Sequence, residues 1–295
     1  MLKNIRLHLE KDEEKQKHHL NVPIKDLSTQ AETYLNIGDS KQIQKLLESK
    51  KKYSICLTTD FVAPKWGGVE THGYQLASCL IERGHKVIMI SSMYRHVREG
   101  IRVMGNGLKV YHLPLLPYYN NDVALIAIFN IIPILRQIFI REHVDLCHSH
   151  LTTSITGAMV LVVAKSMGLK TCMTEHSHFT YNELDFISLN KIIKWYLKDI
   201  DAGIAVSHAC KDNFSLRAKI SPAIIYTIPN AVDTEKFQPK PSLRFPLKTI
   251  NIVCVSRLAQ KKGIDMLIDI IPDVLAKHPN AYFIIGGDGP KFALL

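Results

Sequence analysis

Asn251-Ile-Val-Cys-Val-Ser-Arg-Leu-Ala-Gln-Lys-Lys-Gly263 runs from an apolar, β-branched segment through a basic turn to a glycine. Ile250, Ile252, Val253 and Val255 read as a buried strand. After Gly263, Ile264, Leu267, Ile268, Ile271 and Leu275 recur at helical spacing. Strand, turn and helix in that order make a βα unit of a parallel α/β fold. The turn puts Arg257 and Lys262 where a strand ends and a helix begins, the position at which unpaired helix N–H groups meet anions. A phosphate-bearing ligand suits it, and so does a plain solvated basic loop.

The same alternation fills the chain before it. Residues 53–59 form a compact strand, followed by Asp60-Phe-Val-Ala-Pro-Lys-Trp-Gly-Gly-Val-Glu-Thr-His72 and a helix that Gly84 ends. Gly67 and Gly68 lack Cβ atoms, so this turn can bring backbone N–H groups close to a ligand, although it is not the dinucleotide-binding glycine fingerprint. Further strands are expected at residues 86–91, 144–147, 169–174, 202–206 and 223–228, with a hairpin over 100–113. Helices are expected at 123–140, 153–167 and 188–197, with a short one led by Ser207. The class is therefore α/β and doubly wound. Residues 1–52 read as a polar extension with a helix over 28–52, and 53–237 as a Rossmann-like domain. Residues 238–247, with Pro239, Pro241 and Pro246, read as a linker, and 248–295 as the beginning of a second such domain.

Composition bounds the function. The chain has 295 residues, 46% hydrophobic and 22% charged, which is a globular composition. Its net charge of +10 favours anionic partners such as phosphates or an acidic membrane surface. Nucleic acid is disfavoured, since there is no zinc-finger spacing, RNP-like motif or concentrated basic helix. The six cysteines are scattered singly and outline no disulfide framework. The N-terminus lacks the apolar core of a secretory signal, so a cytosol-facing location is expected. Residues 123–135 are the most apolar run, but it is shorter than the roughly 20 residues of a membrane span and carries Asn130 and Pro133.

Several stretches, taken together and in order, carry a resemblance. They are Asp60-Phe61, Pro64, Gly67-Gly-Val-Glu70, His72, Leu80-Ile-Glu-Arg-Gly-His-Lys-Val87 and Gly107-Leu-Lys-Val-Tyr111. Next come His148-Ser-His150, Thr174-Glu-His-Ser177 and Ile228-Pro-Asn-Ala-Val-Asp233. The last are Val255-Ser-Arg-Leu258, Lys262-Gly-Ile-Asp265 and Ile284-Ile-Gly-Gly-Asp-Gly-Pro290. Residues 53–291 thereby resemble the retaining glycosyltransferases of GT-B fold. More closely, they resemble the family of catalytic subunits of phosphatidylinositol N-acetylglucosaminyltransferase, which begins GPI-anchor synthesis.

The resemblance implies UDP-N-acetylglucosamine as donor, phosphatidylinositol as acceptor, partner subunits, and a place on the cytosolic face of the endoplasmic reticulum membrane. It implies that Arg257 and Lys262 hold the donor diphosphate and offset the charge that develops on it as it leaves, with no cofactor and no metal. Gly67 and Gly68 match the loop facing the donor phosphates, and His176 matches the cleft histidine. Glu70 has a lesser catalytic claim, because in the first helical turn it also serves the helix dipole. Asn230 and Asp233 line the cleft or merely shape their turn. His148/His150 and His176/His178 pair at strand spacing, but no third ligand follows from the spacing. Two departures stand out: Glu175 replaces the family's aspartate, and the segment with the family's paired glutamates does not follow Leu295. The alternative readings are a transferase with another donor or acceptor, and a non-catalytic interaction subunit.

Overall fold

A computed structural model of the chain describes residues 51–62, 67–92, 100–115, 117–118, 123–124, 128–178, 184–240 and 249–294. The expected helix over 28–52 lies outside these residues apart from Lys51 and Lys52, which are exposed coil. The chain divides into two compact units, Met1–Asn230 and Ala231–Leu295.

The first unit begins with β1 (Ser54–Thr58), α1 (Gly68–Glu82), β2 (Lys86–Ser92), β3 (Gly100–Val103), β4 (Lys109–Leu113), β5 (Pro117–Tyr118) and β6 (Val123–Ala124). It continues with α2 (Ile128–Glu142), β7 (Leu146–His150), α3 (Ile155–Ser166), β8 (Lys170–Glu175), α4 (Leu184–Leu197), β9 (Ala202–Ala205), α5 (His208–Ala218) and β10 (Ile225–Thr227). Eight strands make one sheet in the order β10-β9-β8-β7-β1-β2-β4-β3. All its pairings are parallel except β3 with β4, the hairpin expected over 100–113.

Central strands buried on both faces explain the continuous apolar runs in the sequence. In β1, Cys56 packs into one core with α2 to α5, while its neighbours Ile55 and Leu57 pack into a second core with α1. Ile88 and Ile90 of β2 join the first core, and Val87 and Met89 join the second, as the two-residue period of a strand requires. Along α2, Ile131, Leu135, Ile138 and Phe139 recur at three- and four-residue spacing and are buried. Its last residue, Glu142, receives Lys86 at 2.8 Å and Lys109 at 2.7 Å, and accepts the hydroxyl of Tyr111. The backbone carbonyl of Glu142 accepts from Ser54 Oγ at 2.9 Å. Ser54, Lys86 and Lys109 begin β1, β2 and β4, so the helix is anchored to the N-terminal edge of the sheet.

Three expected elements are corrected. The helix of 123–140 starts at Ile128, because Val123–Ala124 spend their backbone bonds in a short ladder with Pro117–Tyr118. The strand of 144–147 is Leu146–His150: Val144 still closes α2 through Phe139, while register with β1 and β8 carries the strand through His-Ser-His. Residues 223–228 open with a 3-10 turn, Pro222–Ile224, which delays β10 to Ile225.

The second unit holds β11 (Ile250–Val255), α6 (Ile264–Lys277) and β12 (Ala281–Gly286), with β11 and β12 parallel. Val253, Val255 and Met266 are exposed there. Among the described residues no helix is long and apolar enough to cross a membrane.

Candidate active site

The winding of the large sheet reverses between β1 and β7: β2 and β4 lie to one side of β1, while β7 to β10 follow on the other. In open parallel sheets the crevice beyond the C-terminal strand ends at such a reversal is where ligands bind. In this unit that edge carries Asp60, His150 and His176.

Asp60, just after β1, accepts from Ser154 Oγ at 2.8 Å and from the Thr156 backbone N–H at 3.2 Å. Ser154 in turn caps α3 by accepting from Gly157 N at 2.8 Å. The exit of β1 is thus fastened to the N-terminus of α3. Across β7, Leu151 follows His150 with φ of 68°, a left-handed conformation costly for a branched side chain. It is held there by its N–H to Thr174 O at 2.9 Å and its carbonyl to Ser154 N at 3.1 Å.

Glu175 ends β8 fully buried and organises the next turn. One carboxylate oxygen accepts the backbone N–H groups of His176 and Ser177, both at 3.0 Å. The other accepts from the backbone N–H of Thr152 at 3.2 Å and from its hydroxyl. The loops after β7 and β8 are therefore clamped together by one side chain.

Four histidines collect on this edge. His150 Nδ1 and His176 Nε2 share a hydrogen bond at 3.1 Å, and His148 Nε2 bonds Thr174 Oγ1 at 2.7 Å. The His72 ring, from the second turn of α1, lies 4.9 Å from that of His176 and 5.4 Å from that of His150. His148 stacks on His150 at 4.5 Å. Burial, reinforced by the neighbouring imidazoles, pushes His148 down to about 3 and His176 down to about 4. Burial also lowers His72, and it holds His150 well below the usual range. The cluster is accordingly neutral at neutral pH, a set of hydrogen-bond donors and lone pairs rather than of charges.

Of the residues singled out in the sequence, His176 lies at this edge, half-buried. Gly67 is the N-cap of α1 and uses no side-chain cap; Gly68 has open space where a Cβ would stand. The α1 N-terminus therefore presents backbone N–H groups with glycine at the cap and at the first helical position. Glu70 folds back toward it, since a Cβ on Gly67 would meet its carboxylate at 2.4 Å. That position suits the dipole role. His178 is exposed and not gathered with the others. Asn230 is exposed, while Asp233 accepts the N–H groups of Glu235 at 3.1 Å and Lys236 at 3.3 Å and pairs with Lys236 Nζ at 3.1 Å. Lys236 first, and those N–H groups, hold its carboxyl below the usual range. Asp233 thus shapes its turn.

In the second unit Arg257 and Lys262 lie in the turn between β11 and α6, both exposed and with no ion pair among the described residues. Lys262 ends a 3-10 turn, and Gly263, with φ of 73°, passes the chain into α6. The turn is braced by the loop after β12: Leu258 N donates to Asp288 O at 2.9 Å and Lys291 N to Leu258 O at 3.0 Å. Gly287 and Gly289, with φ of 140° and 155°, allow that approach, since Cβ atoms there would fall 1.9 Å from Ser256 O and 2.4 Å from Leu258 O.

Spacing alone paired His148 with His150 and His176 with His178, and so missed the gathering of His72 with His150 and His176. No periodicity joins a helix to two strand ends. The clamp at Glu175 was likewise missed; in the sequence Glu175 stood out only as a carboxylate where the family has an aspartate.

A family model described as PIGA (GPI anchor biosynthesis) matches residues 93–183. The chain is 46% identical over 245 residues to a phosphatidylinositol N-acetylglucosaminyltransferase subunit from Homo sapiens, covering 83% of this chain and 50% of that protein. It is 40% identical over 244 residues to the protein of the same name from Arabidopsis thaliana, covering 83% and 54%, and 42% identical over 235 residues to the gpi3 subunit of the Schizosaccharomyces pombe transferase, covering 80% and 51%. The chain thus spans about half the length of the curated relatives it matches. In structure it is similar to sucrose-phosphate synthase from Thermosynechococcus elongatus, with a TM-score of 0.61 at 17% identity over 81% of this chain and 64% of that one. Anabaena HepE in complex with UDP gives 0.59 at 16% identity over 80% and 61%. Residues 93–183 match the GPI-anchor biosynthesis family model, and the chain is similar to phosphatidylinositol N-acetylglucosaminyltransferase subunits over about half of their length, with a GT-B type of α/β fold.

Proposed function

We propose that the protein to which these residues belong transfers N-acetylglucosamine from UDP-N-acetylglucosamine to phosphatidylinositol, the first step of GPI-anchor synthesis, with retention at the anomeric carbon. The observation that carries the reading is the 46% identity to the human relative over 245 residues, 83% of this chain. In this reading the second unit supplies Arg257 and Lys262 for the donor diphosphate. Their charges offset the negative charge gathering on the leaving nucleoside diphosphate, so the transfer itself calls for no metal or cofactor. The N-terminus of α1, with its two glycines, offers N–H groups to phosphate oxygens. Neutral His176 gives a hydrogen bond to the sugar or the acceptor, and Glu70 tunes the helix end. Asp233 shapes its turn, and Asn230 precedes it.

The relatives are named as subunits, which supports work within a complex, and a lipid acceptor supports work at a membrane surface, in this proposal the cytosolic face of the endoplasmic reticulum. The net charge of +10 suits an anionic lipid surface. The test is the complete protein with its partner subunits, UDP-N-acetylglucosamine and vesicles containing phosphatidylinositol. Formation of N-acetylglucosaminyl-phosphatidylinositol is the expected result. Transfer from another sugar nucleotide, transfer to a soluble acceptor in its place, or assembly without transfer would overturn the proposal.

A further inference from the structure

His72, His150 and His176 each offer a ring nitrogen, and these atoms all lie within 4.8 Å of one another. We infer that the three imidazoles form a binding site for one divalent ion of the zinc class. Imidazole nitrogen is a preferred ligand of such ions, and three protein ligands with a fourth position open is a common zinc arrangement. The geometry is nearly in place. Two nitrogens on one tetrahedral zinc, at about 2.0–2.1 Å each, stand about 3.3 Å apart. His150 Nδ1 and His176 Nε2 are already 3.1 Å apart, sharing a proton that an ion would replace. From the 4.8 Å limit, His72 has to close by about 1.5 Å to reach that same spacing. It sits half-buried in the second turn of α1, where a change of side-chain rotamer covers that distance.

Two further observations bear on the site. His150 is fully buried, and among the described residues its Nε2 has no hydrogen-bond partner, so the Nδ1 bond to His176 is the ring's one hydrogen bond there and the one an ion would take over. A buried carboxylate also lies beside the site, since Glu175 is bonded to the backbone N–H of His176. His148, stacked on His150 and fixed by Thr174, orients the central ring.

Bound this way, the ion occupies the edge where the function proposed above puts the sugar or the acceptor, so it acts as an inhibitor of the transfer. That consequence rests on the function proposed above, whereas binding itself does not. The experiment is calorimetric titration of the full chain with zinc chloride, paired with visible absorption on adding cobalt chloride. One zinc equivalent and an intense four-coordinate cobalt band are expected. Both should weaken at least tenfold in His72→Ala and in His176→Gln, and persist in His178→Ala. The second variant guards against a folding defect in the first, with circular dichroism confirming both. Binding that is absent, or unchanged in His72→Ala and His176→Gln, overturns the site. Binding with undiminished transfer by the complete enzyme leaves the site intact and overturns the inhibition.

Discussion

The Glu175 carboxylate accepts the backbone N–H of His176 at 3.0 Å while its other oxygen holds Thr152, so the residue before the candidate histidine fixes where that histidine points. Glu175→Gln replaces one acceptor oxygen with an amide that faces donors. Leaving buried N–H groups unmatched costs about 1–3 kcal/mol. We expect the unfolding free energy to fall by that amount and turnover in the complete protein to fall at least tenfold, with KM less affected. Glu175→Asp keeps the charge and should recover most of the loss. Equal turnover in Glu175→Gln and the unaltered protein would show that the clamp does not position His176.

At the opposite edge of the sheet, Glu142 sets an acid limit on folding. Burial opposes its ionisation, but Lys109, Lys86 and Tyr111 more than reverse this and hold its carboxyl at about 2, against an ordinary 4.5. Below pH 4.5 the unfolded chain takes up a proton that the native chain refuses, so stability falls as pH drops toward 2 and is fully present above 4.5. A shift of that size corresponds to about 3 kcal/mol. Urea titrations of the chain from pH 6 to pH 2.5 should therefore show a slope that Tyr111→Phe reduces and Glu142→Gln removes in its own share. Unchanged slopes in both variants would place the acid sensitivity elsewhere.

The course of the main chain was legible because its signals are local. Compact apolar runs gave β1 and β2, glycine marked the end of α1, and Ser207 announced α5, which it caps through Cys210 N at 3.1 Å. Misreadings fell where tertiary pairing overrides local preference. His-Ser-His is a poor strand by composition, yet it is strand because β1 and β8 pair with it on both sides. The place of Arg257 in the turn after β11, and of Gly67-Gly68 at the start of α1, could be read from a strand-turn-helix order. The contact of His72 with His176 could not, since it depends on how α1 lies over the ends of β7 and β8.

Close packing beneath the histidine edge makes Gly157 irreplaceable. A Cβ there would lie 2.0 Å from Ser149 Oγ and 2.9 Å from Ser154 Oγ, with α3 pressed onto β7. Overpacking of this kind costs about 1–3 kcal/mol. Among the described residues Ser149 Oγ has no hydrogen-bond partner, so Ser149→Ala alone should change stability little. Combined with Gly157→Ala it should restore part of the loss, and urea unfolding of the single and double variants measures that coupling. Strict additivity would mean that the strain comes from Ser154 alone.

Donor binding should depend on the basic turn in a graded way. Charge-assisted hydrogen bonds contribute about 1.5–3 kcal/mol, so Arg257→Ala and Lys262→Ala should each weaken UDP binding by about ten- to a hundredfold. Arg257→Lys keeps the charge but loses the planar fork, and should recover only part of the affinity. Because both side chains are exposed and make no ion pair among the described residues, neither change should disturb folding. Gly287→Ala provides the contrast. Its Cβ would meet Ser256 O at 1.9 Å in a backbone conformation of φ 140°, so the brace behind the turn has to give way. Calorimetry with UDP on the complete protein, beside thermal unfolding, separates the two cases. Arg257→Ala loses binding at constant stability, whereas Gly287→Ala loses both, and UDP affinity unchanged in both Arg257→Ala and Lys262→Ala would remove the diphosphate from this turn.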